Sequence, residues 1–131
     1  MKLGYTIIYV PNVAAESLSF FESAFGMSKG FLHESVNYGE LETRETTLAF
    51  ASHELGKTNF PAGFVAAIDS CKPLGIEIAL VTPSVSEAHT KALAAGAIEL
   101  REPETKPWGQ DVSYVRCTDG TLVEICSPVD G

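Results

Sequence analysis

Residues 5–12, YTIIYVPN, begin an order of predicted elements that the chain repeats about 72 positions later, and this repeat indicates the fold. The β-branched and aromatic run predicts a strand, and the proline-asparagine pair predicts its end. Apolar residues at helical spacing then predict a helix over about 13–25, with Asn12 as its N-cap and Gly26 just beyond its last turn. Three short strands are predicted to follow, at about 28–34, 37–43 and 46–52.

The second copy begins at Gly75. A strand is predicted over 76–81, and the Ser84-Val85-Ser86-Glu87 run fits a capping box in which Ser84 caps a helix and Glu87 reaches back to it. The helix ends at Gly96, and its predicted buried face consists of Val85, Ala88 and Ala92. Three more strands are expected near 98–104, 111–117 and 121–127, the last two joined by a hairpin turn at Asp119-Gly120.

Two βαβββ modules in one α+β domain spanning residues 1–131 are the simplest account of this duplication. The halves cover about 4–52 and 75–128, and a linker of about 53–74 joins them. Each module leaves one sheet face bare, so pairing two modules, within a chain or across a dimer, forms a curved mixed sheet around a cup. Strand alternation predicts which side chains face that cup: Tyr5, Ile7, Tyr9, Thr47, Ala49, Ala51, Glu77, Ala79, Val81, Leu122, Glu124 and Cys126. An unrelated α+β sandwich with halves that look alike is the alternative.

Composition limits the classes of partner. The 131 residues are 45% apolar and 20% charged, with a net charge of -8, which suits a single folded domain with a real core. A negative surface disfavours nucleic acid and anionic membranes, and it favours cationic ligands or serves solubility alone. Three widely spaced cysteines form neither a zinc pattern nor a disulfide framework. With no signal-peptide pattern at the N-terminus, we expect the cytoplasm.

Several segments resemble one known superfamily. Residues 107–110 (PWGQ), 114–116 (YVR) and 118–124 (TDGTLVE) resemble the C-terminal signature of the vicinal-oxygen-chelate superfamily, which comprises glyoxalases, bleomycin resistance proteins and dioxygenases. The opening run 5–13 and the helical SLSFF at 17–21 resemble its N-terminal part. The resemblance implies the same cup-forming fold of two βαβββ modules.

The resemblance also implies where a metal would bind. Metal-dependent relatives place four ligands on the inner strands, at positions that here hold Tyr5, Ala49, Glu77 and Glu124. Alanine offers no ligand atom, and typical zinc, nickel or iron sites use imidazole or thiolate. We therefore expect no tight metal site and no cofactor. A hard-ion site at Glu77 and Glu124 stays open, and with it a metal-dependent lyase, isomerase or dioxygenase that has an atypical, carboxylate-rich site.

The three histidines do not match those positions. His33, His53 and His89 are expected at the surface or at strand edges. Without a GxSxG motif or a histidine placed beside a cysteine, serine or cysteine hydrolysis is not predicted.

A metal-free member of this superfamily would be a binding protein of the bleomycin-resistance type. Such a protein holds a small organic molecule, and here an aromatic or cationic antibiotic would suit the residues. The candidate ligand-binding residues are Tyr5, Tyr9, Glu77, Trp108 and Glu124. Glu77 and Glu124 are also candidate acid and base, because two carboxylates in an apolar pocket raise each other's pKa. A homodimer is expected, and a noncatalytic assembly protein with a filled cup is a further alternative.

Overall fold

A computed structural model describes residues 1–129 of the chain. None of the helices in this range is long and apolar enough to span a bilayer. The elements in chain order are β1 (Tyr5–Val10), a π-helical turn (Val13–Leu18), α1 (Ser19–Phe25), β2 (Lys29–Leu32), β3 (Tyr38–Leu41), β4 (Thr47–Ser52), α2 (His53–Asn59), a 3-10 turn (Ala67–Asp69), β5 (Glu77–Val81), α3 (Val85–Ala94), β6 (Ile98–Thr105), β7 (Asp111–Arg116) and β8 (Leu122–Cys126).

Two four-stranded mixed sheets confirm the predicted pair of βαβββ modules. Their strand orders are β1-β4-β3-β2 and β5-β8-β7-β6. The parallel pairs are β1 with β4 and β5 with β8. The register places Ile7 beside Ala49 in the first module and Ala79 beside Glu124 in the second. Ala49 and Glu124 are therefore equivalent positions. Within residues 1–129 the two sheets do not join into a closed barrel.

The first helical segment follows its sequence signals closely. The Asn12 side chain accepts a hydrogen bond from the Ala15 backbone N–H at 2.8 Å, as expected of an N-cap. The segment starts as a π-helical turn and becomes α-helical at Ser19. Gly26 ends it in the left-handed conformation, with φ of 67°. The helix buries Phe21 against Phe50 of β4, with ring centroids 5.1 Å apart.

The capping box predicted for α3 is wrong. Ser84 occupies the N-cap position, but its side chain makes no capping hydrogen bond. The Ser84 backbone N–H instead lies 3.3 Å from the Thr82 hydroxyl, which accepts from it. A local turn at Thr82 thus orients the start of α3, and Glu87 is left exposed on the helix surface.

The prediction that His89 lies at the surface is also wrong. His89 is 4% exposed, because α3 packs this side chain against β6 and β7. Its Nδ1 lies 2.9 Å from the Ser113 hydroxyl and its Nε2 lies 2.7 Å from Glu99. Ser113 is completely buried, so no substrate reaches its hydroxyl, and the serine, histidine and glutamate tie α3 to the sheet. His33 is exposed and His53 is partly buried at the start of α2.

The linker between the modules is partly helical and crosses the molecule. The Ser52 hydroxyl caps α2 by accepting from the Leu55 backbone N–H at 3.1 Å. We call residues 60–74 the strap. Its rings Phe60 and Phe64 pack around Tyr9 of β1, with ring centroids 5.8 and 5.1 Å from that tyrosine. The strap therefore covers one end of the face of β1 that points away from the helices.

Candidate functional site

The sheet faces opposite the helices carry the predicted cup residues. In β1, Tyr5 is 57% exposed and Ile7 is also exposed, whereas Val10 is buried in the core. In β5, Glu77, Ala79 and Val81 are exposed, and the alternating Ile78 and Leu80 pack against the core. The open face formed by these strands is the face on which sequence alternation places the candidate residues.

Glu77 and Glu124 lie close enough on this face to affect each other's ionisation. Partial burial raises the pKa of Glu77, and the nearby charge of Glu124 raises it further. Glu124 accepts a hydrogen bond of 2.6 Å from the Tyr114 hydroxyl, and this bond, with burial, raises the pKa of Tyr114 to about 12. The two carboxylates therefore differ in their surroundings: Glu124 accepts a hydrogen bond from Tyr114, and Glu77 has a raised pKa.

This asymmetry predicts a pH-dependent effect of Glu77→Gln on stability. A carboxyl whose pKa is raised in the folded state costs stability once the pH exceeds that pKa, and costs none below the unfolded value. Glu77→Gln should therefore raise the free energy of unfolding at pH 8, by less than about 1 kcal/mol because solvent screens the pair. At pH 3.5 the gain should vanish. Urea unfolding at both pH values measures it, with the exposed Glu102→Gln as the control for loss of one negative charge. An equal effect at both pH values would contradict the assignment.

The first module carries a carboxylate, Glu40, that is not among the residues predicted from the sequence. Glu40 of β3 pairs with Ala49 and therefore stands beside the position where a relative would hold a metal ligand. The Tyr38 hydroxyl donates to Glu40 at 2.8 Å. Burial and this carboxylate both raise the pKa of Tyr38. Each module thus has one carboxylate held by a tyrosine, but on different strands. The register between β3 and β4 places Glu40 beside Ala49, and the sequence alone does not determine that register.

The four positions of the metal-binding relatives do not fit a metal here. Ala49 has no donor atom, and the phenol of Tyr5 would have to lose a proton to bind an ion. Glu124 already accepts a hydrogen bond from Tyr114. Within residues 1–129, no three or more histidine, cysteine, aspartate or glutamate side chains gather as a group that could hold an ion. We therefore derive no chemistry through a metal.

A cavity of about 300 Å³ lies between the two modules under the strap. Its walls come from β1, the strap, the start of β5 and the hairpin before β8, and they are mostly apolar. The lining residues are Thr6, Ile7, Ile8, Tyr9, Phe64, Val65, Ala66, Ala67, Leu74, Ile76, Ile78, Gly120, Thr121 and Leu122. An apolar cavity of this size between two structural units is a typical site for a small organic molecule.

Arg116 fastens the strap over this cavity. Its guanidinium donates to the Ala67 carbonyl at 2.7 Å and to the Ser70 carbonyl and hydroxyl at 2.9 and 3.2 Å. Gly120, with φ of 91°, meets the strap backbone so closely that a Cβ there would overlap Ala67 and lie 2.6 Å from the Ile68 nitrogen. In the sequence Arg116 and Gly120 are recognisable only as parts of a motif, and the structure shows their contacts with the strap.

The five candidate ligand-binding residues do not all lie together. Tyr9 lines the cavity, and Tyr5, Glu77 and Glu124 lie on the open face beside it. Trp108 is in the turn between β6 and β7, where it is 66% exposed and its indole N–H donates to Gln110 at 2.9 Å. Trp108 is not one of the described residues that line the cavity.

The comparisons with known proteins show the fold. No protein-family model matches the chain. No curated protein matches it either. Solved structures match over nearly the whole chain. A glyoxalase-related enzyme from Fulvimarina pelagi has a TM-score of 0.80 at 19% identity, covering 98% of this chain and 88% of its own.

Two further solved structures have the same fold as this chain. A glyoxalase/bleomycin resistance protein/dioxygenase family enzyme from Burkholderia phytofirmans PsJN has a TM-score of 0.78 at 17% identity, covering 97% of this chain and 98% of its own. A member of the same superfamily from Sphaerobacter thermophilus DSM 20745 has a TM-score of 0.71 at 21% identity and covers 98% of both chains. This chain therefore has the glyoxalase/bleomycin-resistance fold.

Proposed function

We propose that this protein binds a small organic molecule, with an apolar part that occupies the cavity and a cationic group that meets Glu77. The observation that supports this proposal most strongly is the apolar cavity between the two modules. Burial of an apolar ligand there releases water from rings and aliphatic side chains, at about 25 cal/mol for each Å² of apolar surface. Tyr9 and Phe64 offer ring faces for an aromatic ligand.

The preference for a cation rests on the position of Glu77. Glu77 pairs in register with Leu122 of β8, which lines the cavity, so the two side chains share one face of the sheet. The neighbouring charge of Glu124 adds to the negative potential at this rim. A ligand ammonium or guanidinium beside Glu77 would relieve the repulsion between the two carboxylates and lower the pKa of Glu77.

Sequestration of a cationic or aromatic antibiotic is the biological role that we propose for this binding. Sequestration requires that the protein bind the antibiotic tightly, and it requires no chemical reaction. In such a site Glu77 and Glu124 would contribute only by attracting a cationic ligand. We propose the cytoplasm as the compartment, and Cys71, Cys117 and Cys126 are all free thiols. We also propose a homodimer, because Tyr5, Ile7 and Val81 expose apolar surface on the open face.

A matched pair of ligands tests the proposal. 1-Naphthylmethylamine and 1-naphthylmethanol have the same shape, and only the amine is charged at pH 8. We expect both to raise the melting temperature of the protein, with about tenfold tighter binding of the amine at low salt. In Glu77→Gln this preference should largely disappear. Failure of both compounds, and of a panel of cationic aromatic antibiotics, to stabilise the protein would contradict the proposed function.

A further inference from the structure

Thr121 is a buried polar residue in the wall of the apolar cavity. It is 5% exposed and lies between Gly120 and Leu122, which also line the cavity. Its backbone is fully engaged, since its N–H donates to Asp119 at 3.0 Å and its carbonyl accepts from the Cys117 N–H at 2.8 Å. Its hydroxyl has no hydrogen-bond partner among residues 1–129.

An unpaired hydroxyl at this depth needs an explanation, because buried polar groups in native proteins almost always have a partner. Thr121 packs where valine would fill the same space without that cost. A rotation about χ1 exchanges the positions of the hydroxyl and the methyl group without any movement of the backbone. Thr121 lines the cavity, so a molecule bound there is the nearest candidate partner for this hydroxyl.

We propose that the Thr121 hydroxyl is a specificity-determining group, which donates a hydrogen bond to a neutral oxygen within the apolar part of the ligand. The inference rests on the proposed function and makes it more specific. The ligand class becomes a compact, mostly apolar molecule with a carbonyl or similar oxygen on its ring system. Glu77 at the rim would select for charge, and Thr121 inside the cavity would select for the oxygen.

The chemical selectivity follows from the surroundings. The cavity is mostly apolar, so a ligand carbonyl that entered it without a hydrogen bond would lose its bonds to water. With Thr121 as donor, both the hydroxyl and the carbonyl gain a partner. A hydrocarbon of the same shape leaves the hydroxyl unpaired, as it is in the free protein. Selectivity for oxygen therefore depends on one atom, Thr121 Oγ1.

The test uses 1-indanone and indane, which differ by one carbonyl oxygen. For the wild-type protein we expect tighter binding of the ketone, and we expect Thr121→Val to reduce the ratio of the two affinities by about tenfold. Thr121→Ser, which keeps the hydroxyl, should preserve most of the ratio. Thr121→Val should also raise the melting temperature of the unliganded protein, by about 3 °C, because it removes an unpaired buried hydroxyl.

The outcomes separate this inference from the proposed function. Binding of both compounds with an affinity ratio that Thr121→Val leaves unchanged would overturn the role of Thr121 and leave the cavity as the binding site. A lower melting temperature for unliganded Thr121→Val would overturn it as well, because the hydroxyl would then have a partner in the free protein. If neither compound binds, and the naphthyl compounds also fail, the proposed function falls and this inference falls with it.

Discussion

Gly120→Ala is expected to destabilise the protein by about 3 kcal/mol, since two costs add. At φ of 91° an alanine strains the backbone, and its Cβ would overlap the Ala67 backbone of the strap. The strap must move away to relieve that overlap, which weakens the hydrogen bonds from Arg116 to Ala67 and Ser70. Urea unfolding measures the loss, and faster proteolysis within the strap should accompany it.

Gly109→Ala is the matched control for backbone strain. Gly109 has φ of 90°, and a Cβ there would meet nothing within 4 Å. This variant therefore carries the conformational cost alone, about 1–2 kcal/mol. Equal destabilisation by the two substitutions would show that the close contact between hairpin and strap does not contribute.

Filling the cavity should weaken ligand binding more than any change at its rim. Ala66 belongs to the strap and lines the cavity, so an indole at this position would occupy space that the ligand needs. We expect Ala66→Trp to weaken the binding of 1-naphthylmethylamine by about 100-fold, equivalent to about 2.7 kcal/mol. Calorimetric titration measures the affinity, and far-ultraviolet circular dichroism checks that the variant is folded.

A second variant and a control keep this test decisive. Ile7→Trp reaches the same cavity from the opposite wall, on β1, and should weaken binding in the same direction. Ile98→Trp adds an indole to an exposed site on β6 that does not line the cavity, and should leave affinity unchanged. Unaltered affinity in both Ala66→Trp and Ile7→Trp would place the ligand elsewhere.

The sequence predicted the order of elements within each module, because the signals for it are local, but it did not predict α2 in the linker. Alternation along β1, the Asn12 cap and the positive φ of Gly26 each act within a few residues, and the structure shows all three. His89 was misplaced because its burial depends on polar partners on two other strands. Ser113 and Glu99 form hydrogen bonds with its ring nitrogens, and no local sequence pattern predicts that these two residues are its partners.

The candidate site was only partly predictable for the same reason. Alternation identified Glu77 and Glu124 as residues of one face, and the structure places them close together. Glu40 was missed because its place beside Ala49 depends on the β3–β4 register. The cavity depends on the path of the strap. Arg116 holds the strap by donating to backbone carbonyl groups, and because every residue has a carbonyl group, the sequence does not reveal these acceptors. Long-range contacts of this kind leave no periodic signal in the chain.

Calorimetric titration of 1-naphthylmethylamine into protein stripped of metal with a chelator tests whether the protein binds a small organic molecule without a metal ion. We expect saturable binding of about one molecule per chain, with the same affinity before and after chelation and after addition of magnesium, manganese, zinc, nickel or iron(II). Binding that disappears on chelation and returns with one equivalent of a single divalent ion would contradict it, and would make Glu77 and Glu124 ligands of a metal centre.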